Sequence, residues 1–129
     1  MRTRSWSLPA QPSSVRELRT RIIEYAALQD LTDPPLEGLR LAVSEAVTNA
    51  VVHAYRDQPA GSVTASIDID RGSSRVVVHV TDAGQGLGPR PDSPGLGLGL
   101  PLIASVAEET RLLPGPSGIG TDVCMSFAF

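Results

Sequence analysis

The sequence predicts an α+β fold: a two-layer α/β sandwich with helices packed on one face of a mostly antiparallel sheet. Two observations carry this prediction. Apolar residues recur at helical spacing in the first part of the chain, and apolar and polar residues alternate with a period of two after residue 61. Each layer has one apolar side to bury, so the layers pack face to face. The 129 residues contain no linker or internal repeat, and a single domain over residues 1–129 is expected.

Two helices are predicted in the first part of the chain. The first begins at Ser14, which has Glu17 three residues later in the pattern of a capping box, and no element is predicted before it. Its apolar positions recur at helical spacing: Val15, Leu18, Ile22 and Ala26. The second helix starts at Asp33-Pro34-Pro35, because proline is tolerated in a first turn where amide donors lack partners anyway. It continues to about Tyr55.

Two strands joined by a turn follow the helices. Residues 63–69 alternate between apolar and polar side chains, as in a half-buried strand. Residues 71–74, Arg-Gly-Ser-Ser, form the turn into a second strand over residues 75–82. Three valines and Asp82 share one face of that strand by its two-residue period. If the valines face the helices, Asp82 faces them too, at the end of the strand.

The rest of the chain is predicted to contain a loop, a third helix and two short strands. The loop is rich in Gly and Pro and covers residue 83 to about residue 97. The helix covers residues 98–109, with Pro101 in its first turn. The last strand covers residues 121–129. Thr121 shares the parity of the apolar residues in this strand, so its hydroxyl is expected on the inner face of the sheet.

Composition excludes several classes of protein. A net charge of −3 argues against a dedicated nucleic-acid binder, which usually carries a basic surplus. No membrane attachment is expected, because no apolar run is long enough to cross a bilayer and no apolar signal region follows the basic residues near the N-terminus. A cytoplasmic protein is therefore expected. Cys124, the single cysteine, lies among apolar residues and is predicted to be a buried, inert thiol.

The second helix carries polar residues on an otherwise apolar surface. Glu45, Asn49 and His53 are spaced four apart and form one ridge at about 100° per residue. The ridge faces either costly burial or a polar cavity, since a buried unpaired polar group costs about 1–3 kcal/mol. Glu45 and Asn49 could instead pair with neighbouring backbone or with an arginine. His53 is expected to be a packing residue.

Two glycine-rich segments lie at the ends of the predicted loop. Asp82 is followed by Gly84 and Gly86, either as an acceptor for a ligand at the mouth of the core or as an ordinary Asp-Ala-Gly turn. Residues 95–100, Gly-Leu-Gly-Leu-Gly-Leu, precede a helix, where backbone amides can approach phosphates. A Rossmann fingerprint is excluded because a loop, not a strand, leads into this segment, and a P-loop is excluded because the chain has no lysine.

Together these motifs resemble the GHKL superfamily of ATPases and kinases, and the resemblance covers nearly the whole chain. The motifs match in order: Glu-Ala-Val-Thr-Asn-Ala-Val-Val-His at residues 45–53, Asp-Ala-Gly-Gln-Gly at 82–86, Gly-Leu-Gly at 97–99 and Gly-Thr at 120–121. The short loop between Gly86 and Gly97 looks most like the anti-sigma-factor serine/threonine kinases of that superfamily. The implied fold is the histidine-kinase-like ATPase fold.

This resemblance implies ATP and Mg²⁺ as cofactors and gives each motif a role. In family members, the asparagine that matches Asn49 helps to hold Mg²⁺ against the triphosphate, and the glutamate that matches Glu45 is the general base. The match of Asp82 accepts a hydrogen bond from the adenine amino group, and that of Thr121 supports adenine, commonly through water. The remaining matches permit a mobile lid and backbone contact with phosphates: Gly84, Gly86, Gly97, Leu98 and Gly99.

The resemblance also implies partners, namely an anti-sigma antagonist, a sigma factor and, in a homodimer, a second copy of the chain. One departure concerns the lid, where family members often carry a basic residue just ahead of the second glycine motif. Residues 93–96 are Ser-Pro-Gly-Leu here, and the nearest basic residue is Arg90. This departure favours one alternative, a binding module that uses ATP without phosphotransfer. A stand-alone histidine-kinase catalytic domain that acts in trans is the second alternative that stays open.

Overall fold

The computed structural model describes residues 2–55, 59–84, 102–116 and 118–129. In chain order their elements are β1 (Arg2–Pro9), α1 (Pro12–Leu28), α2 (Pro35–Asn49), a single π-helical turn (Ala50–Ala54), β2 (Ser62–Asp70), β3 (Arg75–Asp82), β4 (Glu109–Pro114) and β5 (Thr121–Ala128). Residues 102–106 are also helical. The predicted α+β class is confirmed.

The sheet has the strand order β1-β2-β3-β5-β4, and each neighbouring pair is antiparallel. Helices α1 and α2 pack against each other and on one face of this sheet. The core lies between the two layers and is built from apolar side chains that solvent does not reach, among them Leu18, Ile22, Leu39, Val43, Val47, Val63, Ile67, Val76, Val78, Ile103 and Met125. No helix in the part of the chain that the structure describes could span a bilayer.

The two central strands follow the predicted alternation. The apolar positions of β2 are buried, and the positions between them are half-buried. The same pattern holds along β3 as far as Val80. β3 ends at Asp82, which lies opposite Val63 of β2 and Thr121 of β5. This register places the end of the middle strand beside the beginning of the last one.

Strand β1 was not predicted from the sequence. It pairs with β2 over its whole length and forms one edge of the sheet. An edge strand is covered on less of its surface, and Trp6 and Leu8 of β1 are partly buried against the core. The intervening residues are exposed. Apolar and polar residues alternate only weakly in this segment because it lies at the edge of the sheet. The backbone hydrogen bonds that make it a strand do not require a particular pattern of side chains.

The predicted capping box at the start of the first helix is wrong. Helix α1 begins at Pro12, and its N-cap, Gln11, makes no side-chain capping bond. Ser14 lies inside the first turn and is buried; its hydroxyl donates to the Pro9 carbonyl at 2.6 Å. Glu17 pairs with Arg21 one turn later, at 3.0 Å. The hydroxyl that a capping box would use therefore ties α1 to the end of β1.

Two further predictions need correction. Described helical structure after the loop covers residues 102–106, and Glu109, the predicted end of that helix, is the first residue of β4. Cys124 is half-buried and lies on the outer face of the sheet, because it alternates with the inward-facing Val123 and Met125. Its Sγ lies 3.8 Å from Nε2 of His79. The predicted end of the second helix near Tyr55 is confirmed, since α2 continues through the π turn to Ala54.

Candidate functional site

The polar ridge of α2 and the end of β3 meet at one cavity between the two layers. The residues that line it are Ala46, Asn49, Ala50, His53, Ala54, Val80, Asp82, Thr121 and Val123. Helix α2 and the π turn supply the first five, and β3 and β5 supply the others. The structure therefore brings together Asn49, Asp82 and Thr121, which the sequence predicted as nucleotide-binding residues.

Small side chains create the space for this cavity. Ala46, Ala50 and Ala54 recur every four residues, so a stripe of the helical surface that faces the sheet carries methyl groups alone. The cavity has a volume of about 20 Å³, which is room for about one water molecule. A purine ring would therefore enter only if the two walls move apart.

Asp82 is a half-buried carboxyl in the sheet-side wall of the cavity. Its Oδ1 accepts the N–H of Gly84 at 2.9 Å. Burial raises the pKa of the Asp82 carboxyl above its ordinary value, and the backbone N–H groups of Gly84 and Thr121 act in the opposite direction with smaller effect. An acceptor that lies next to the Val80–Val123 pair suits an amino group on a flat apolar heterocycle, because the ring can pack while the amino group donates.

Thr121 is buried on the inner face of β5, as the parity of that strand predicted. It lies directly opposite Asp82 in the β3–β5 register. The chain reaches Thr121 through Gly120, whose φ of +79° lies in the left-handed region that favours glycine. A Cβ at this position would lie 2.0 Å from the Asp82 carbonyl oxygen. Gly120 is therefore required sterically for the two strands to meet here.

The remaining residues of the predicted ridge lie at different depths. Glu45 is partly exposed, one turn before Asn49, and is not among the described residues that line the cavity. His53 is half-buried and lines the cavity with Asn49, and its expected role as a packing residue stays a prediction. The spacing of four that joined these three residues in the sequence was the available signal for His53.

Gly84 is buried against the end of the π turn. A Cβ at this position would lie 1.9 Å from the Ala54 carbonyl oxygen, so the backbone of the Asp82–Gly84 turn touches the backbone of the helical segment. In the structure this glycine permits a close backbone contact, and the role in a mobile lid and in phosphate contact that the family resemblance implies for it stays a prediction. The other predicted lid residues lie outside the described part of the chain: Gly86, Gly97, Leu98 and Gly99.

Sequence reasoning gave no role to Tyr55. This residue follows the π turn, and its hydroxyl accepts the N–H of Ala83 at 3.0 Å, next to Asp82. A signal was present in the sequence, since an aromatic residue with a polar end directly follows the polar ridge of α2. The contact itself depends on the long-range approach of β3 to the helix end, which no local pattern encodes.

The residues at the cavity fit a magnesium ion that is held mainly by its nucleotide. Among residues 2–55, 59–84, 102–116 and 118–129, no group of three or more His, Cys, Asp or Glu side chains could form a metal site. Magnesium prefers oxygen ligands, keeps several waters and commonly takes one or two protein groups together with phosphate oxygens. The Asn49 amide offers one such oxygen at the cavity wall.

The helical layer on one face of an antiparallel sheet, with a cavity between the layers, places the chain in the class of two-layer α/β sandwiches. The chain belongs to the family of the histidine kinase-like ATPase domain, whose model matches residues 8–127.

Several characterised proteins are similar to this chain over most of its length. "Serine-protein kinase RsbW" of Bacillus velezensis is 33% identical, over 92% of this chain and 81% of that protein. The protein of the same name from Bacillus subtilis is 36% identical, over 81% of this chain and 74% of that one. "Anti-sigma F factor" of Halalkalibacterium halodurans is 28% identical, over 91% of this chain and 86% of its own length.

Two solved structures have the same fold. The structure of the RsbU and RsbW domains of Rv1364c from Mycobacterium tuberculosis matches with a TM-score of 0.78 and 22% identity, over 99% of this chain and 32% of that one. A histidine kinase domain from Erythrobacter litoralis matches with a TM-score of 0.62 and 23% identity, over 88% of this chain and 60% of that one. At these identities, the similarity establishes the fold alone.

Proposed function

We propose that this chain is an ATP-binding serine/threonine protein kinase that regulates a sigma factor by phosphorylating an anti-sigma antagonist. The observation that carries the proposal is the single cavity where Asn49, Asp82 and Thr121 meet between α2 and the sheet. The family of ATPase domains to which the chain belongs supports ATP as the ligand. Relatives named as serine-protein kinases and as an anti-sigma factor support the reaction and its partners.

Adenine would bind at the sheet-side wall. The Asp82 carboxylate would accept a hydrogen bond from the exocyclic amino group, and Val80 and Val123 would contact the ring. When the two walls move apart to admit the base, a water would occupy the space beside Asp82 and Thr121. Such a water would let the buried Thr121 hydroxyl support the base indirectly.

The triphosphate would extend along the ridge of α2. Asn49 would contribute an oxygen to Mg²⁺, which when bound neutralises charge on the phosphates. Glu45 lies one turn further from the cavity and is partly exposed, where a serine of a protein partner can reach it. Glu45 would accept the proton of that hydroxyl while the serine oxygen bonds to the γ-phosphorus and the bond to the ADP oxygen breaks.

The two alternatives predict different products. A binding module without phosphotransfer would bind nucleotide and transfer no label. Arg90, the basic residue nearest to the second glycine motif, lies outside the residues that the structure describes. A histidine-kinase catalytic domain would produce phosphohistidine on a partner. The names of the relatives favour phosphoserine over either alternative. A kinase with these partners would act in the cytoplasm. It would bind a second copy of the same chain to form a homodimer.

The decisive experiment is transfer of label from γ-³²P-ATP to purified anti-sigma antagonists encoded in the same genome. Acid-stable phosphoserine on one antagonist is the expected product, whereas acid-labile label would support the histidine-kinase alternative. Asn49→Ala should abolish transfer, with a loss of at least about 100-fold, because positioning and charge neutralisation supply most of the catalysis. Gln29→Ala, an amide substitution at the end of α1, is the matched control. Transfer that survives Asn49→Ala unchanged would refute the metal role of Asn49.

A further inference from the structure

Tyr55 directly follows the π turn and contacts the segment next to Asp82. Its hydroxyl donates to the Ser62 carbonyl at 2.6 Å and accepts the N–H of Ala83 at 3.0 Å. A phenol can make both bonds at once, because it has one donor and two acceptor lone pairs. Ser62 is the first residue of β2, and Ala83 is the residue after the end of β3.

The two bonds extend the β2–β3 ladder by one rung. Val63 lies opposite Asp82, so the next pair in this register would be Ser62 and Ala83. At that position the Tyr55 hydroxyl lies between the carbonyl of the first and the N–H of the second and bonds to both. The end of the ladder is therefore fastened to the helical segment at the residue that follows Asp82.

Two glycines allow this close approach. A Cβ on Gly61 would lie 2.6 Å from atoms of the Tyr55 ring, so the ring packs directly on the backbone of Gly61. A Cβ on Gly84 would lie 1.9 Å from the Ala54 carbonyl oxygen. Residues 54–55 thus hold residues 83–84 in two ways. The backbone of Ala54 contacts that of Gly84, and the Tyr55 hydroxyl accepts a hydrogen bond from Ala83.

The position of this turn fixes the direction of the Asp82 carboxylate. Oδ1 of Asp82 accepts the N–H of Gly84 at 2.9 Å, so a displacement of residues 83–84 would move or free that oxygen. Tyr55 is outside the set of described residues that line the cavity. The hydrogen bond from Ala83 to Tyr55 therefore links this residue to the cavity through the turn that carries Asp82.

We propose that Tyr55 is a positioning residue that sets the preference of the site for adenine by holding the turn that carries Asp82. The proposal rests on the proposed function, namely nucleotide binding in this cavity. Adenine offers an amino donor at position 6 where guanine has a carbonyl acceptor. A carboxylate held in one direction accepts from the first and repels the second, whereas a carboxylate that can turn away distinguishes them less.

The test compares Tyr55→Phe with Tyr25→Phe in the full chain, by calorimetry with MgADP and MgGDP. Tyr55→Phe keeps the ring on Gly61 and removes both hydrogen bonds. Tyr25 of α1, the only other tyrosine in the sequence, packs against Trp6 of β1 and is the matched control. In Tyr55→Phe the affinity for ADP should fall about tenfold, while that for GDP changes by less than about twofold. If the ratio of the affinities for ADP and GDP stays at its wild-type value, the proposal is overturned.

A second measurement needs no nucleotide. Burial raises the pKa of Asp82 and the N–H of Gly84 lowers it, so release of the turn in Tyr55→Phe should shift that pKa from its wild-type value, as followed by carbon-detected NMR titration. The Ala83 amide should also exchange with solvent faster. Neither should change in Tyr25→Phe. An unchanged Asp82 titration would refute the positioning role even if nucleotide affinity falls. If the wild-type chain binds neither nucleotide, both the proposed function and the adenine preference are wrong. The titration of Asp82 then decides by itself whether Tyr55 positions this carboxylate.

Discussion

Two neighbouring rungs of the β3–β5 ladder carry the same pair of residue types on opposite faces of the sheet. Asp82 pairs with Thr121 on the face covered by helices, and Thr81 pairs with Asp122 on the outer face. The inner aspartate borders the cavity, whereas both carboxylate oxygens of the outer one lie within 3.0 Å of Nδ1 of His79. The comparison shows that the surroundings of a pair, and not its composition, make a carboxylate available to a ligand.

The outer pair belongs to a network of side chains on the outer face of the sheet. Asp122 contacts His79, and the other ring nitrogen of His79 lies 3.8 Å from Sγ of Cys124. Burial and the negative charge of Asp122 raise the pKa of the Cys124 thiol. The predicted burial of this cysteine was wrong, since Cys124 is half-buried, and its inertness stays a prediction. By contrast, Asp82 takes its hydrogen bonds from backbone N–H groups of Gly84 and Thr121.

The largest expected difference between the two rungs is in nucleotide binding. Asp82→Asn should weaken MgADP binding about 100-fold, because the amide would present a donor or a weaker acceptor to the adenine amino group in place of a charged acceptor. Asp122→Asn should leave the affinity within about twofold. Calorimetry with both variants checks this. Equal effects of the two substitutions would remove the distinction between the inner and outer rungs.

A smaller effect is expected from the glycine next to the inner rung. Gly118 and Gly120 both have φ near +80°, but a Cβ on Gly118 would meet no atom within 4 Å, whereas one on Gly120 would lie 2.0 Å from the Asp82 carbonyl. Alanine at either position carries the cost of left-handed backbone, about 1 kcal/mol. Gly120→Ala should lower the free energy of unfolding by at least about 1 kcal/mol more than Gly118→Ala, as measured in urea. Similar losses would mean that strands β3 and β5 can separate at this end without cost.

The smallest effect concerns the pH dependence of stability. The pKa of Asp82 is raised above 3.8 in the folded protein, so the folded state binds the proton more tightly than the unfolded chain does. Its contribution to stability is fully present below pH 3.8 and is lost as the pH rises through the folded pKa. The stability of the wild type relative to Asp82→Asn should therefore fall between pH 3 and pH 7, by less than about 1 kcal/mol after solvent screening. Urea unfolding of both proteins across this range tests it, and a rise would show that hydrogen bonds outweigh burial.

Much of the fold could be predicted because β2 and β3 have one face in the core. Burial of alternate positions on β2 leaves a period of two in the sequence, and this fixed the inward direction of Asp82 as well. Edge strand β1 lacked that signal because its inner face is only partly covered. The same alternation, applied to β5, would have placed Cys124 on the outer face opposite to Val123.

The candidate site was predictable in its members and not in its contacts. The spacing of Glu45, Asn49 and His53 follows from helical geometry, so their common ridge could be read from the chain. The pairing of Asp82 with Thr121 depends on a register between strands that are distant in sequence. The steric need for Gly84 likewise depends on how closely the turn approaches Ala54. Such distances arise from the packing of whole elements, which local patterns do not specify.

The π turn at Ala50–Ala54 sets the angle at which the chain leaves the second helix. A π turn holds one more residue than the α-helical turn that it replaces, and each residue of an α-helix advances about 100° around the axis. Deleting a single residue from this turn would therefore swing the Tyr55 ring about a quarter of the way around the helix, away from Gly61 and the end of β3. The length of this one turn acts as an angular spacer, which aligns the helix with the sheet where the two close over the cavity.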